Sequence, residues 1–180
     1  MAPRPLHGAL TLAVALAASC APADSGPSPL LAENEVVART LMAAWERGDV
    51  DGIGEAFWPD ATYDDFSNSV QHRGVDEIVA YFAGTHGWAS DVVVNVTAVH
   101  ASETGAVAEW VFSAVQTAPM EGTVAVGTGN EVVLNGVTIL EISGGLIRRG
   151  ADYVDTLPLV LQLGGRVEMP GGTILEMPGG

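Results

Sequence analysis

Lysine is absent from this 180-residue chain, and all seven of its basic side chains are arginine. They stand against 22 aspartates and glutamates, for a formal charge of −15. Phosphate backbones are gripped by clustered cations, so this balance argues against nucleic acid as a partner. It argues equally against a polybasic membrane-surface site. Cysteine is nearly absent. Cys20 alone leaves no intrachain disulfide framework and no cysteine-rich zinc site. No two histidines stand at H-x-x-x-H spacing, so no metal is expected. No glycine-rich loop joins a strand to a helix in phosphate-binding fashion, and Gly127-Thr128-Gly129 reads as a turn between strands. No cofactor is expected either. Apolar residues, by contrast, make up 48% of the chain, too many for a disordered one. The length suits one domain.

The first twenty residues read as an address. Arg4 stands in an acid-free start, and Gly8–Ala18 is apolar but too short to span a bilayer. Ala17-Ala18-Ser19-Cys20 resembles a bacterial lipoprotein signal, which implies lipidation at Cys20 and a membrane-anchored protein facing the periplasm or the cell exterior. The other reading is an ordinary secretory peptide and a secreted soluble protein. Residues 21–30, rich in Pro, Ser and Gly, read as a flexible tether. The domain is then 31–163.

Val36, Val37, Thr40, Leu41, Ala44 and Trp45 share one helical face, with Asn34 as its expected N-cap and Gly48 as its stop. Asp49 caps a short second helix with Ile53, Ala56 and Phe57 inward, and Pro59-Asp60 ends it. Ala61–Asp65 reads as a strand and Phe66–Gly74 as a polar turn. A third helix has Val75, Ile78, Val79 and Phe82 inward and ends at Gly84. From Asp91 the period changes to two. Strands are expected at Val92–Ala101, Ala106–Thr117, Glu131–Ile142 and Leu146–Asp155, and a short helix at Thr156–Leu163. Three helices followed by antiparallel strands is an α+β plan. Its economical form is a curved antiparallel sheet wrapped round the helices to leave a cone-shaped pocket. Residues 164–180 form a Pro/Gly tail in which Glu168-Met169-Pro170-Gly171-Gly172 recurs as Glu176-Met177-Pro178-Gly179-Gly180, spacings that oppose regular structure.

The run Gly48-Asp49-Val50-Asp51-Gly52-Ile53, Phe57, Asp60-Ala61-Thr62 and Arg73-Gly74 is similar to the nuclear transport factor 2-like superfamily. So is Gly144-Gly145-Leu146-Ile147-Arg148-Arg149 with Asp152-Tyr153-Val154-Asp155, which resembles the final strand of SnoaL-like proteins. Polyketide cyclases, ketosteroid isomerases and limonene-epoxide hydrolases are relatives. The resemblance implies a cone-shaped α+β barrel, a homodimer formed through the sheet, and two catalytic acids. Asp65 falls where ketosteroid isomerases place their base. Asp152 falls where epoxide hydrolases hold a water-activating aspartate. Strand parity puts Asp65 inward and Asp64 outward, and Asp152 inward where Asp155 is not.

The chemistry has its own logic. A carboxylate among apolar walls is disfavoured as an ion, its pKa rises, and a base near neutrality moves a proton beside a carbonyl or activates water. For Asp65 the alternative is a turn-capping aspartate. Relative to the resembled families, Leu41 replaces an oxyanion tyrosine, Thr138 replaces a late-strand acid and is a candidate substrate-binding residue, and Trp110 and Phe112 replace an Arg/Asp pair. Trp110 and Phe112 share one strand face and either line the substrate site or pack the core. Tyr63 is a candidate donor to substrate, or else packs a sheet face. His86 is a candidate pocket acid or base, or else a surface histidine, as are His72 and His100. Two readings follow: cofactor-free acid–base catalysis on a small apolar carbonyl compound, or a non-catalytic binding or dimeric assembly module. A valine-rich sheet face at Val92–Val96 and Val132–Val137 is compatible with dimerisation.

Overall fold

The computed structural model describes residue 26 and residues 28–177. Cys20 and most of the tether lie outside them. Helix α1 spans Pro29–Arg47 and α2 Val50–Glu55. Strands β1 (Phe57–Asp65) and β2 (Val70–Arg73) follow, then α3 (Val75–Trp88). Four long strands come next: β3 (Ala89–Ser102), β4 (Gly105–Gln116), β5 (Glu131–Ser143) and β6 (Leu146–Val154). Helix α4 (Leu157–Gln162) precedes a two-residue hairpin, β7 (Val167–Glu168) and β8 (Ile174–Leu175).

The main sheet has the order β2-β1-β6-β5-β4-β3. It is a curved α+β sheet with helices packed on it. The pairing is antiparallel except between β1 and β6, which run parallel, so the all-antiparallel expectation is corrected at that one junction.

Local chemistry sets the boundaries. Gly48 takes a left-handed φ of 64° and its N–H closes back on α1, a conformation glycine adopts without a Cβ penalty. Asp49 accepts a bond from the Gly52 N–H, as an N-cap should. Helix α1 starts earlier than expected, at Pro29 after Ser28, where proline suits a first helical turn, and Asn34, within the helix, turns inward and gives its amide to the Ser102 carbonyl. Strand β1 runs through Pro59, where the sequence suggests a break. The register with β6 shifts between Phe57 and Thr62, and such an irregularity tolerates a residue with no N–H to give. Helix α3 continues past Gly84, because the Trp45 indole bonds Thr85 and His86 bonds the Trp45 carbonyl. The tail departs from its expectation too. Gly171 and Gly172 take positive φ and let the first Glu-Met-Pro-Gly-Gly copy form the turn of the β7–β8 hairpin.

Between sheet and helices the core is closed by aromatic rings. Trp45 meets Phe82, Trp110 and Phe112, and Tyr63 meets Phe57, Tyr81 and Phe82. Most of these contacts are edge-to-face, as ring quadrupoles favour. The cone is therefore filled where a hollow is expected.

Candidate active site

Strand register lays the site out in one transverse row. Asp65 on β1 lies opposite Asp152 on β6, and Asp152 lies opposite Thr138 on β5. All three side chains face the interior and are buried, Asp65 at 4% exposure and Asp152 at 2%. The inward parity of both acids is as expected. Asp64, one residue away, faces outward and takes both Arg149 Nε (2.9 Å) and Nη2 (2.6 Å) on Oδ2. Burial works against its charge, but Gln71 and Arg149 hold its carboxyl below the usual range.

The two buried acids differ in what they hold. Asp65 Oδ1 accepts from the Ser67 and Asn68 N–H groups and Oδ2 from the Asn68 amide. That is the turn-capping arrangement, and its acceptor sites are spent on its own turn. Asp152 instead meets side chains alone. Thr138 Oγ1 lies 2.6 Å from Oδ1, and the Tyr81 hydroxyl lies 3.0 Å from Oδ2.

Donor arithmetic fixes the direction of the first bond. Trp110 Nε1 lies 2.9 Å from Thr138 Oγ1. An indole N–H only donates, so Thr138 accepts there and gives its single hydrogen to Asp152. Oδ1 is thereby a standing acceptor, and a proton gained by Asp152 sits on Oδ2, beside Tyr81. Burial pushes the Asp152 pKa up to about 6. Bonds from Thr138, Tyr63 and Tyr81 favour the charge and restrain the rise, while the charge of Asp65 adds to it. Tyr63 and Tyr81 are pushed well above the usual phenol range, first by burial and then by the Asp152 charge, so both stay protonated donors. The Tyr63 hydroxyl favours the Asp152 charge, yet it is buried without a partner at full hydrogen-bond geometry.

Tyr81 and His72 extend the site beyond the sequence expectation. Tyr81 stands at i+3 from Ile78 and beside Phe82, so the helical spacing that marks those two as inward also marks Tyr81. His72 lies opposite Tyr63 in the β1–β2 ladder and stacks on Tyr81 at 4.7 Å. Its Nε2 is buried and unpartnered. His72 therefore sits on a strand and in the cluster, where a loop is expected.

Other candidates fall elsewhere. His86 is a correction: it is exposed in the last turn of α3, with Nε2 2.7 Å from the Trp45 carbonyl, and fastens two helices instead of lining a pocket. Phe112 packs the core between Trp45 and Trp88. Trp110 packs the same core but also aims its N–H at Thr138. One surface depression of about 420 Å³ lies on the outer sheet face beside Tyr153. Asp152 lines neither this one nor the depressions along α2 and α3, between α1 and β3, at the β4–β5 connection and at the tail.

The model of the SnoaL-like domain matches residues 38–150. The chain belongs to the SnoaL-like domain family. No curated protein matches it. Among solved structures, this SnoaL-like chain is similar to a protein named for SnoaL-like polyketide cyclases from Jannaschia sp. CCS1. That similarity has 18% identity, a TM-score of 0.70, and coverage of 77% of this chain and 96% of the other. It is similar to a protein with a ketosteroid isomerase-like fold from Catenulispora acidiphila in complex with trimethylamine, at 21% identity and TM-score 0.62, covering 72% and 92%. It is also similar to an LEH-like epoxide hydrolase of M. tuberculosis, at 16% identity and TM-score 0.59, covering 74% and 90%. Identities this low establish the shared fold.

Proposed function

We propose that this SnoaL-like protein carries out cofactor-free acid–base catalysis on a small, largely apolar carbonyl-type compound, by isomerisation, cyclisation or addition of water. Asp152 is the proton-handling group. The observation that carries this reading is its buried carboxyl, poised near pH 6 with one oxygen fixed as an acceptor and the other beside Tyr81. General acid–base work of this kind contributes about 10²–10⁴ in rate. Thr138 and Trp110 orient the group, and Tyr63, whose hydroxyl has no partner at full hydrogen-bond geometry, offers it to a substrate oxygen. Asp65 acts through its charge and through its hold on the Phe66–Ser69 turn.

The test is proton exchange on enolisable ketones in D2O, read by NMR. Deuterium uptake above the buffer rate, rising through about pH 6 and lost in Asp152→Asn, is the expected result. A wild-type rate equal to buffer across a panel of cyclic and acyclic ketones sinks the reading.

A non-catalytic module has its own support. The interior is packed, and Val93, Val133 and Tyr153 stand exposed on the outer sheet face, a surface suited to a second copy of the chain. In the same proposal the protein is exported and tethered through a lipid on Cys20. The mass of the mature N-terminus tests that, and a chain beginning beyond Cys20 defeats it.

A further inference from the structure

Two glycines sit in mid-strand positions where a side chain would be the rule, and each lies under an aromatic ring. Gly150 on β6 is the register partner of Tyr63 on β1, and Gly136 on β5 is the partner of Trp110 on β4. A Cβ at Gly150 would overlap the Tyr63 ring, and a Cβ at Gly136 would overlap the six-membered ring of Trp110. Neither ring has room to retreat. Tyr63 is fully buried against Phe57, Tyr81 and Phe82, and Trp110 is buried edge-on to Trp45. A glycine in a strand interior weakens the strand and often marks such a close approach.

Both covered rings end in polar atoms that serve the same carboxyl. The Trp110 N–H orients Thr138, which donates to Asp152 Oδ1. The Tyr63 hydroxyl also favours the Asp152 charge, without reaching full hydrogen-bond geometry. Gly150 and Gly136 stand two residues before Asp152 and Thr138, so the ring–glycine pairs occupy the rows flanking the Asp65–Asp152–Thr138 row on either side.

We propose that Gly136 and Gly150 are positioning residues for Asp152: their missing side chains let Trp110 and Tyr63 lie flat on the sheet and so aim an indole N–H and a phenol at one carboxyl group. This rests on Asp152 being the proton-handling group, but its test reads the carboxyl directly and needs no turnover. The Asp152 pKa is followed by carbon-13 NMR in Gly150→Ala and Gly136→Ala. Tilting Tyr63 takes away a phenol that favours the charge, and tilting Trp110 frees the Thr138 hydroxyl that it orients toward the carboxyl, so in each variant the pKa rises by about one unit. Gly150→Ala in a Tyr63→Phe background then has no further effect on the pKa, because the hydroxyl it acts through is gone. Gly105→Ala, whose Cβ meets the Leu140 carbonyl instead, lowers stability and leaves the pKa in place. An unmoved pKa in folded Gly150→Ala and Gly136→Ala, or a fall toward the ordinary carboxylate value, overturns the proposal. Should the alanine variants not fold, Tyr63→Phe keeps its ring without the hydroxyl and Trp110→Phe keeps an aromatic side chain without the indole N–H. Each must raise the pKa, and failure of either overturns the proposal equally.

Discussion

Asp152 makes stability itself depend on pH. Its carboxyl titrates near pH 6 in the folded chain and near 3.8 when unfolded. Between these values the folded state holds a proton that the unfolded state releases. The contribution is therefore full below about pH 4 and is lost as pH rises through 6. Its size is on the order of 3 kcal/mol, from about two units at 1.36 kcal/mol each. Denaturant titrations of wild type and Asp152→Asn should differ in slope across that window and run parallel above it. A constant difference would remove the burial account. The inward direction of Asp65 and Asp152 was legible from strand parity alone. The partners of Asp152 were only half legible. Tyr81 shares a helix face with Ile78 and Phe82, but nothing in the sequence says that a helix lies over that point of the sheet. Capping by Asp65 was one of two open readings, and geometry chose it for the carboxylate.

Among elements, the long strands were nearly complete in the sequence because β-branched residues at period two and Gly turns mark them from both sides. Helix ends were less so: Asn34 bonds distant Ser102 from within α1, where a cap is expected, and α3 is extended by the bond of His86 to Trp45. At the end of α1, Gly48→Ala should cost about 1 kcal/mol or more, because the left-handed φ is strained for alanine and the new Cβ meets the His86 ring. Thermal or urea unfolding measures it. The long β4–β5 connection has a different anchor. Buried Gln116 bonds the Ala118 and Val126 carbonyls and both the N–H and hydroxyl of Thr128. Gln116→Ala leaves these groups unpaired, a cost on the order of 2–3 kcal/mol. Amide exchange and proteolysis should quicken over residues 117–130 while the strands stay protected, and uniform exchange would show that the anchor is not local.

For the molecule as a whole, charge and topology act at long range. Fifteen excess negative charges repel one another in the compact state, and salt screens them. The melting temperature should rise with sodium chloride, and a flat or falling response would mean that ion pairs such as Arg149–Asp64 outweigh the repulsion. The cone architecture was legible because short motifs in fixed order mark it. The filling of the cone was not, because ring packing depends on which rows meet across the sheet.

The parallel junction of β1 and β6 bears on how the chain reaches this state. The first strand finds its inner neighbour in residues 146–154, with Asp65 paired to Asp152 and Phe57 to Ile147 far along the chain. Until Leu146 is made, β1 has only the edge strand β2 to pair with, and Asp65 has no Asp152 to face. Contacts so far apart in sequence slow folding, so the acid pair forms with the closing of the sheet and not before it. A ribosome-bound chain ending at Ser143 should accordingly remain protease-sensitive over β1 and β2.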